Sequence, residues 1–189
     1  MSDSAVIKDG ASIWHLCQIR EGVRIGEGSV VGRGVYIGPS VEIGKNCKIQ
    51  NYALIYDPAR IGEGVFIGPA VTLTNDVYPR AVDPDLSLKD VSGWEAAGVT
   101  INDGASIGAR SVILAGVTVG KWALVAAGSV VIRDVPDFAL VAGNPARQKA
   151  WVGRAGRQLE PGDGSTFRCP ETGAIYAAAG SDLVEVNPE

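Results

Sequence analysis

The 189-residue sequence is poor in aromatic side chains, which make up 6% of it, and it contains a single histidine, His15. It also lacks a basic excess, because the formal net charge is −4 and the sequence pI is about 5.1. Binding to nucleic acid generally needs a basic surface that neutralises phosphates, so this class is disfavoured. Glycine is abundant, with 25 residues, and apolar residues make up 46%. Such a composition favours thin, regular packing layers over a bulky aromatic core.

Long apolar runs, leader-like segments and paired cysteines are missing too. No uninterrupted apolar run approaches the ~18 residues of a transmembrane helix. Residues 1–10 lack a basic segment followed by an apolar stretch, so no secretory signal is expected. The widely spaced Cys17, Cys47 and Cys169 predict neither a disulfide framework nor a metal knuckle. We therefore expect a cytoplasmic protein with reduced thiols and no bound metal.

Aliphatic residues recur at every sixth position over most of the chain. The first run has twelve members and the second has six, and two positions before each lies a small or β-branched residue such as Cys17 or Cys47. The aliphatic positions are Ile7, Ile13, Ile19, Ile25, Val31, Ile37, Ile43, Ile49, Ile55, Ile61, Ile67, Leu73, then Ile101, Ile107, Ile113, Val119, Val125 and Val131. An inward pair spaced by two fits a short strand, and the other residues form a corner. With three hexads per turn, residues 1–135 are predicted to be all-β, a parallel β-helix of about six coils.

The repeat is interrupted once and stops before the C-terminus. Between Leu73 and Ile101 there are 28 positions where the repeat would place six, which predicts an extruded loop at 74–98 with a functional role. Residues 136–155 are predicted to cap the open coil, with a short helix at 148–155. Residues 156–189 resemble a zinc ribbon whose ligands are lost, since only Cys169 remains of its cysteines. We expect a metal-free, ribbon-like tail of two or three short strands.

Several motifs stand out beyond the hexad. They are Ile13-Trp14-His15, Lys48-Ile49-Gln50-Asn51, Thr74-Asn75 with Pro79-Arg80, the stretch 134–141, and Gly143-Asn144-Pro145-Ala146-Arg147. Over residues 5–150 this set resembles the hexapeptide-repeat acyltransferases, in particular bacterial N-acetyltransferases of nucleotide-linked 3-amino sugars. The type acting on UDP-linked 2-acetamido-3-amino-2,3-dideoxy-glucuronate is the most similar. The sequence departs from the pattern at 81–98, and Val117 stands where some relatives carry histidine.

The resemblance implies a left-handed parallel β-helix that transfers acetyl from acetyl-CoA to the amine of a nucleotide-linked amino sugar, in polysaccharide biosynthesis. It also implies a homotrimer with active sites between subunits. Two rival functions stay open: an acyltransferase with a different small amine or hydroxyl acceptor, and a non-catalytic β-helix scaffold. A β-helical carbonic anhydrase is rejected, because it needs three histidine zinc ligands and the chain has one histidine.

The catalytic candidates are Asn75 and His15. Asn75 is expected to orient the amine, whereas His15 is either a base, a contact to the nucleotide or sugar, or a structural residue. They lie about 3.3 coils apart, on the order of 16 Å along the axis, so both cannot touch the reacting amine. Further acceptor contacts are predicted at Arg33, Gln50, Asn51, Asp57, Thr74 and Arg80. Contacts to acetyl-CoA are predicted at Gly116, Lys121, Ala126, Ala127, Arg133 and Arg147.

Overall fold

Each hexad forms one two-residue strand and one corner. The computed structural model of the chain describes residues 1–90, 94 and 96–186, and its first eighteen strands each end on the aliphatic residue of a hexad. From the third strand onward that residue is buried, whereas the residue before it is exposed or half-buried. The alternation is the one that a strand with a single buried face requires.

Every third strand belongs to the same sheet, so three parallel sheets run along a solenoid. Sheet A contains β1 (Val6–Ile7), β4 (Arg24–Ile25), β7 (Glu42–Ile43), β10 (Arg60–Ile61), β13 (Thr100–Ile101) and β16 (Thr118–Val119). Sheet B contains β2 (Ser12–Ile13), β5 (Val30–Val31), β8 (Lys48–Ile49), β11 (Phe66–Ile67), β14 (Ser106–Ile107), β17 (Leu124–Val125), β19 (Ala139–Gly143) and β20 (Ala146–Trp151). Sheet C contains β3 (Gln18–Ile19), β6 (Tyr36–Ile37), β9 (Leu54–Ile55), β12 (Thr72–Leu73), β15 (Val112–Ile113) and β18 (Val130–Val131). We call the corners that join these sheets edges AB, BC and CA.

Successive coils stack in register. Ile7 pairs with Ile25, and Ile61 pairs with Ile101 across the insertion, so the extruded loop does not shift the register. The aliphatic residues form one continuous core between the sheets. Cys47 is fully buried at a small inward position, as expected, and Cys17 in the first coil is half-buried.

The C-terminal end of the solenoid differs from the prediction. The expected helix at 148–155 is wrong: β20 covers the first half of that segment, residues 148–151, and runs antiparallel to β19. The coil count also changes, because Val135 pairs with Val119 and β19 pairs with β17, which extends the solenoid to about seven turns. Unpaired strand edges need a partner, and the hairpin supplies one for β19. The described residues include no helix long and apolar enough to span a membrane.

The tail forms an antiparallel sheet of four strands rather than two or three. These strands are β21 (Glu160–Pro161), β22 (Thr166–Arg168), β23 (Ile175–Ala179) and β24 (Asp182–Val186), and residues 187–189 of the predicted tail lie outside the described residues. Phe138 of the solenoid and Tyr176 of the tail meet edge to face, with ring centroids 5.2 Å apart. Cys169 and Leu183 are buried in the same cluster. The tail therefore covers the last coil of the solenoid.

Candidate active site

Asn75 lies where the insertion leaves edge CA, after the fourth strand of sheet C. Its side-chain amide donates a hydrogen bond from Nδ2 to the carbonyl of Asp57, one coil earlier, at 2.6 Å. The Asn75 carbonyl accepts the N–H of Ala97 at 2.9 Å, which closes the neck of the insertion. Thr74 is held by its own N–H, which donates to Ile113 at 2.9 Å. Asn75 is thus fixed on both sides, and within the described residues its amide oxygen accepts no hydrogen bond and can accept one from a ligand.

Asp57 occupies the hexad position at which the side chains of other corners accept a backbone N–H. The Asn51 side chain accepts the N–H of Arg33, 18 residues earlier, at 2.9 Å. The residue 18 before Asp57 is Pro39, which has no N–H to donate. The half-buried Asp57 carboxylate therefore lacks the backbone donor that occupies its counterpart, and it lies one coil from Asn75 on the same edge.

The insertion builds a small cleft beside Asn75. Asp76 bridges to Ala96 at the neck, and Val82 bridges to Leu88 in a hairpin further out. Between the two bridges lies a cleft of about 270 Å³ lined by Asp76, Arg80, Lys89, Asp90 and Trp94. In the predicted loop 74–98, residues 91–93 and 95 lie outside the described residues.

The cleft carries two cations on its walls. Within the described part of the chain, neither Arg80 nor Lys89 belongs to an ion pair. Arg80 donates from Nη1 to the Pro79 carbonyl at 2.8 Å. Two cations beside a tryptophan ring suit a ligand that has an anionic group and an apolar face, while Asp76 and Asp90 of the same lining balance the charge of the cleft.

Edge BC carries the other predicted acceptor contacts. His15 is exposed in the first coil, with its ring centroid 6.0 Å from that of Trp14. Arg33 follows in the second coil, and Gln50 and Asn51 in the third. His15 and Asn75 therefore lie on different edges as well as three coils apart, and one chain does not bring them together.

The residues predicted to bind CoA lie beyond the fourth coil, but on different edges. Gly116 and Arg133 lie on edge CA, Ala126 and Ala127 on edge BC, and Lys121 on edge AB. Arg133 and Arg147 line one cleft of about 190 Å³ at the end of the solenoid. This pair of cations is the part of the predicted set that the structure brings together.

Most backbone N–H groups at and beside the glycine and alanines predicted to contact acetyl-CoA are used by the solenoid itself. The Gly116 N–H donates to Ala97 at 3.0 Å, and the Ala126 N–H donates to Val141 at 2.9 Å. The Gly128 N–H donates to Ala109 at 2.8 Å. Within the described residues, the Ala127 N–H makes no such bond. Ala127 is therefore the best placed of these donors for a ligand.

Sequence reasoning missed most of the insertion cleft. Of its lining residues only Arg80 was predicted, because a loop without a period gives no sign of which side chains converge. The usable signal was composition: two cations and a tryptophan within one insertion. The predicted role of Asn51 as an acceptor contact was also incomplete, because its amide oxygen already accepts the N–H of Arg33.

Comparison with known proteins identifies the repeat. A model described as "Bacterial transferase hexapeptide (six repeats)" matches residues 4–39, 40–75 and 98–133, more than half of the chain. The chain belongs to the bacterial hexapeptide transferase family. The gap between the second and third matches, residues 76–97, falls within the insertion, so the family repeat and its interruption coincide with the solenoid and the loop of this hexapeptide transferase.

Individual relatives share parts of the chain. A dTDP-3-amino-3,6-dideoxy-alpha-D-galactopyranose 3-N-acetyltransferase from Aneurinibacillus thermoaerophilus is 54% identical over 59 residues, 31% of this chain and 31% of that protein. PerB from Caulobacter crescentus, solved in complex with CoA and GDP-perosamine, is 30% identical, with a TM-score of 0.56 over 78% of this chain and 58% of that one. A hexapeptide transferase family protein from Anaplasma phagocytophilum has a TM-score of 0.61 at 20% identity, covering 79% of this chain and 80% of that chain. The chain thus spans about a third of the curated relative and somewhat over half of PerB.

Proposed function

We propose that this hexapeptide transferase moves the acetyl group of acetyl-CoA onto the amine of a nucleotide-linked amino sugar. The observation that carries the proposal is the anchored Asn75 where the insertion leaves the solenoid, next in sequence to Asp76 of the cleft that carries Arg80 and Lys89. Two relatives support the acceptor class, because one is named for a dTDP-linked amino sugar and the other binds GDP-perosamine together with CoA.

Asn75 orients the amine and does not deprotonate it. An amide has no useful basicity, but its oxygen accepts a hydrogen bond from the acceptor N–H. The Nδ2 bond to Asp57 fixes the amide in place before the substrate arrives, so little ordering cost falls on the reaction. The Asp57 carboxylate, which has no N–H to cap, attracts the acceptor in its ammonium form.

The chemical step needs no protein nucleophile. The bound ammonium first releases one proton to solvent, and the lone pair of the resulting neutral amine attacks the thioester carbonyl carbon. As the C–N bond forms, the C–S bond breaks, and CoA leaves as the thiolate. The extra proton on nitrogen passes to that sulfur, directly or through a water, which yields free CoA and the N-acetyl sugar. The Ala127 N–H is the donor that we assign to the developing oxyanion.

The two substrates approach along the axis from opposite ends. Below Asn75, Arg33 and His15 lie about 2.3 and 3.3 coils away, at about 11 and 16 Å of height, which suits the diphosphate and the base of a long acceptor. Above it, Arg133 and Arg147 flank one cleft and suit the phosphates of CoA. His15 is thus assigned to the acceptor's nucleotide.

We propose that three copies assemble around sheet C, with the left-handed winding that the hexapeptide repeat implies. The outward side chains of sheet C are mostly apolar and only half-buried in one chain: Tyr36, Leu54, Thr72, Val112 and Val130. Sheet A instead exposes charged residues, including the ion pair of Arg60 with Glu42. Contact through sheet C brings edge BC of one copy beside edge CA of its neighbour, so that one site draws on both edges.

The test is a panel assay. Purified protein is incubated with acetyl-CoA and UDP-, dTDP- or GDP-linked 3-amino and 4-amino sugars, and release of free thiol is followed. Release with one amino sugar supports the proposal and identifies the acceptor. CoA binding without release from any of them moves the acceptor outside nucleotide sugars. Neither binding nor release contradicts the proposal and favours the scaffold.

A further inference from the structure

Four large apolar side chains on solenoid corners adopt a backbone conformation that costs energy. Leu16, Tyr52, Trp122 and Phe138 have φ of 63°, 61°, 57° and 61°. Bulky residues rarely occupy this left-handed region, since Cβ crowds the backbone there. Other corners use glycine at the equivalent position, as Gly34 does between Leu16 and Tyr52. A large side chain at such a corner calls for a compensating contact.

Two of the four find their contact within the chain. Phe138 is 6% exposed and packs against Tyr176 of the tail. The Trp122 ring lies under the guanidinium of Arg154, 5.3 Å from the ring centroid. The other two do not: Leu16 is 71% exposed and Tyr52 is 53% exposed. Contacts within the chain therefore compensate the backbone strain of Phe138 and Trp122, but not that of Leu16 and Tyr52 on edge BC.

The Tyr52 ring lies flat on the edge rather than extending into solvent. A Cβ placed on Gly34 would be 2.7 Å from both Cδ1 and Cε1 of the ring, so the ring covers the bare backbone of that glycine. Beyond Gly34 lies Leu16, and the 56%-exposed Trp14 is next to it. We call Trp14, Leu16 and Tyr52 the edge strip. One side of the Tyr52 ring rests on the backbone, and its other side faces outward.

Cationic and polar groups interleave with the strip. Arg33 lies between Leu16 and Tyr52 along the edge, and the Asn51 amide fixes its backbone. His15 follows Trp14, and their rings are tilted by 42°. Flat aromatic faces beside an arginine suit a planar heterocycle attached to phosphate.

We propose that the edge strip is a stacking platform for the base of the acceptor's nucleotide. The proposal rests on the proposed function for the identity of the acceptor, and it assigns roles to Trp14, Leu16 and Tyr52. The base stacks on the outward faces of Tyr52 and Trp14, and the adjoining phosphates meet Arg33. The Cα atoms of the strip lie about 1.3 to 3.4 coils below Asn75, about 6 to 16 Å along the axis, which is the side away from the CoA cleft.

The platform is tested first without any acetyl transfer. Binding of UDP, dTDP and GDP to the full chain is measured by calorimetry. One of these nucleotides is expected to bind the native chain, and Tyr52→Ala and Trp14→Ala are expected to lower its affinity about tenfold. Tyr52→Phe keeps the ring and is expected to keep the affinity. Gly34→Ala, whose methyl group displaces the Tyr52 ring, is expected to weaken it as well. Phe66→Ala, which removes an exposed ring from sheet B, is the matched control and leaves binding unchanged.

In turnover, Tyr52→Ala is expected to raise the acceptor KM about tenfold and to leave kcat and the acetyl-CoA KM near their native values. Loss of nucleotide binding in the strip variants supports the platform even if no amino sugar in the panel is acetylated. Equal binding by Tyr52→Ala and the native chain overturns it, even if acetyl transfer is demonstrated. A native chain that binds no nucleoside diphosphate overturns it too. A change in oligomeric mass instead of nucleotide affinity identifies the strip as a contact between copies and likewise overturns it.

Discussion

Asn75 and His15 are both candidate catalytic residues, but their surroundings indicate different roles. Asn75 is tied to the Asp57 carbonyl and to the neck of the insertion. His15 is exposed on another edge, beside Trp14. A group that orients the reacting amine affects the chemical step, whereas a group at the far end of the acceptor affects its binding. Mutant kinetics therefore distinguish the two roles.

Asn75→Ala is expected to lower kcat about a hundredfold, because a positioned polar contact to the reacting atoms is lost. His15→Ala is expected to raise the acceptor KM by up to about tenfold with kcat nearly unchanged. Steady-state kinetics with the acceptor found in the panel measure both.

Asp103→Ala is the control for the Asn75 substitution. Its carboxylate accepts the N–H of Glu63 at 2.9 Å on edge AB, so its removal also costs one corner hydrogen bond, but away from the cleft. Equal losses for Asn75→Ala and His15→Ala, with the pH profile flattened only by removing His15, contradict the assignment and make His15 the base.

Cys47 and Cys17 both occupy the small inward position of a hexad, and their reactivity reports how well that position is buried. Burial raises the pKa of the Cys47 thiol, which donates to the Gly62 carbonyl at 3.1 Å. A raised folded pKa keeps the thiol protonated at neutral and mildly alkaline pH. The associated stability is fully present below the pKa of the unfolded thiol and is lost as pH rises from there through the folded value. Cys17 sits at the same hexad position but is half-buried.

In the native protein near pH 8, Cys17 is expected to be alkylated at least about tenfold faster than Cys47, because the thiolate is the reactive species. Peptide mass spectrometry over time measures both rates, and denatured protein serves as the control in which both react. Equally fast labelling of Cys47 without unfolding contradicts its place in the sealed core.

At the scale of elements, the hexad explains which predictions succeeded. A period of six with two inward residues specifies strand, corner and register together, so β1 to β18 follow directly from the sequence. The segment 148–155 had no such period, and a helix was predicted there because the open coil needs a cap. Residues 148–151 belong to β20 instead, because β19 offers an open edge to pair with. The need for a cap was predicted, but a strand meets it in place of a helix.

The insertion is expected to be separable from the solenoid. Deleting residues 75–96 restores a six-residue step from Leu73 to Ile101, and Ile61 already pairs with Ile101 across the gap. We expect the shortened chain to keep its strand content and to lose no more than about 2 kcal/mol of stability. Acceptor turnover is expected to vanish, while CoA binding persists.

Circular dichroism, thermal unfolding and calorimetry with CoA check this deletion. Loss of fold shows that the insertion stabilises the coils around it. Undiminished acetyl transfer removes Asn75 and the cleft from the site.

At the scale of the molecule, the sequence placed the site residues along the chain but not around the axis. It predicted that His15 and Asn75 are separated in height, and the strand order also assigns them to edges BC and CA. Lys121 was grouped with Arg133 from sequence proximity, yet edge AB carries it away from that residue. The edge on which a residue lies depends on which sheet precedes its corner. Residues that are close in sequence in the C-terminal coils can therefore lie on different edges.

Edges BC and CA are separated in one chain, so the proposed site requires that copies of the chain assemble. A trimer is expected, with a mass three times the 19.6 kDa of the chain. Light scattering after size exclusion measures it. Leu54→Glu with Val112→Glu places carboxylates on the apolar face of sheet C and is expected to yield monomers without turnover. Arg60→Glu on sheet A is the control and stays trimeric. A native chain that is monomeric and active contradicts a site shared between copies.

Direct attack of a sugar amine on acetyl-CoA is the step on which the proposed function depends. The decisive measurement uses acetyl-CoA with an isotopically labelled acetyl group and the acceptor from the panel, followed by mass spectrometry of both the sugar and the intact protein. We expect label on the sugar nitrogen, free CoA in equal amount, and no acetyl on the protein at any time. A labelled protein that passes its acetyl group to the sugar, or label on a hydroxyl in place of the amine, contradicts it.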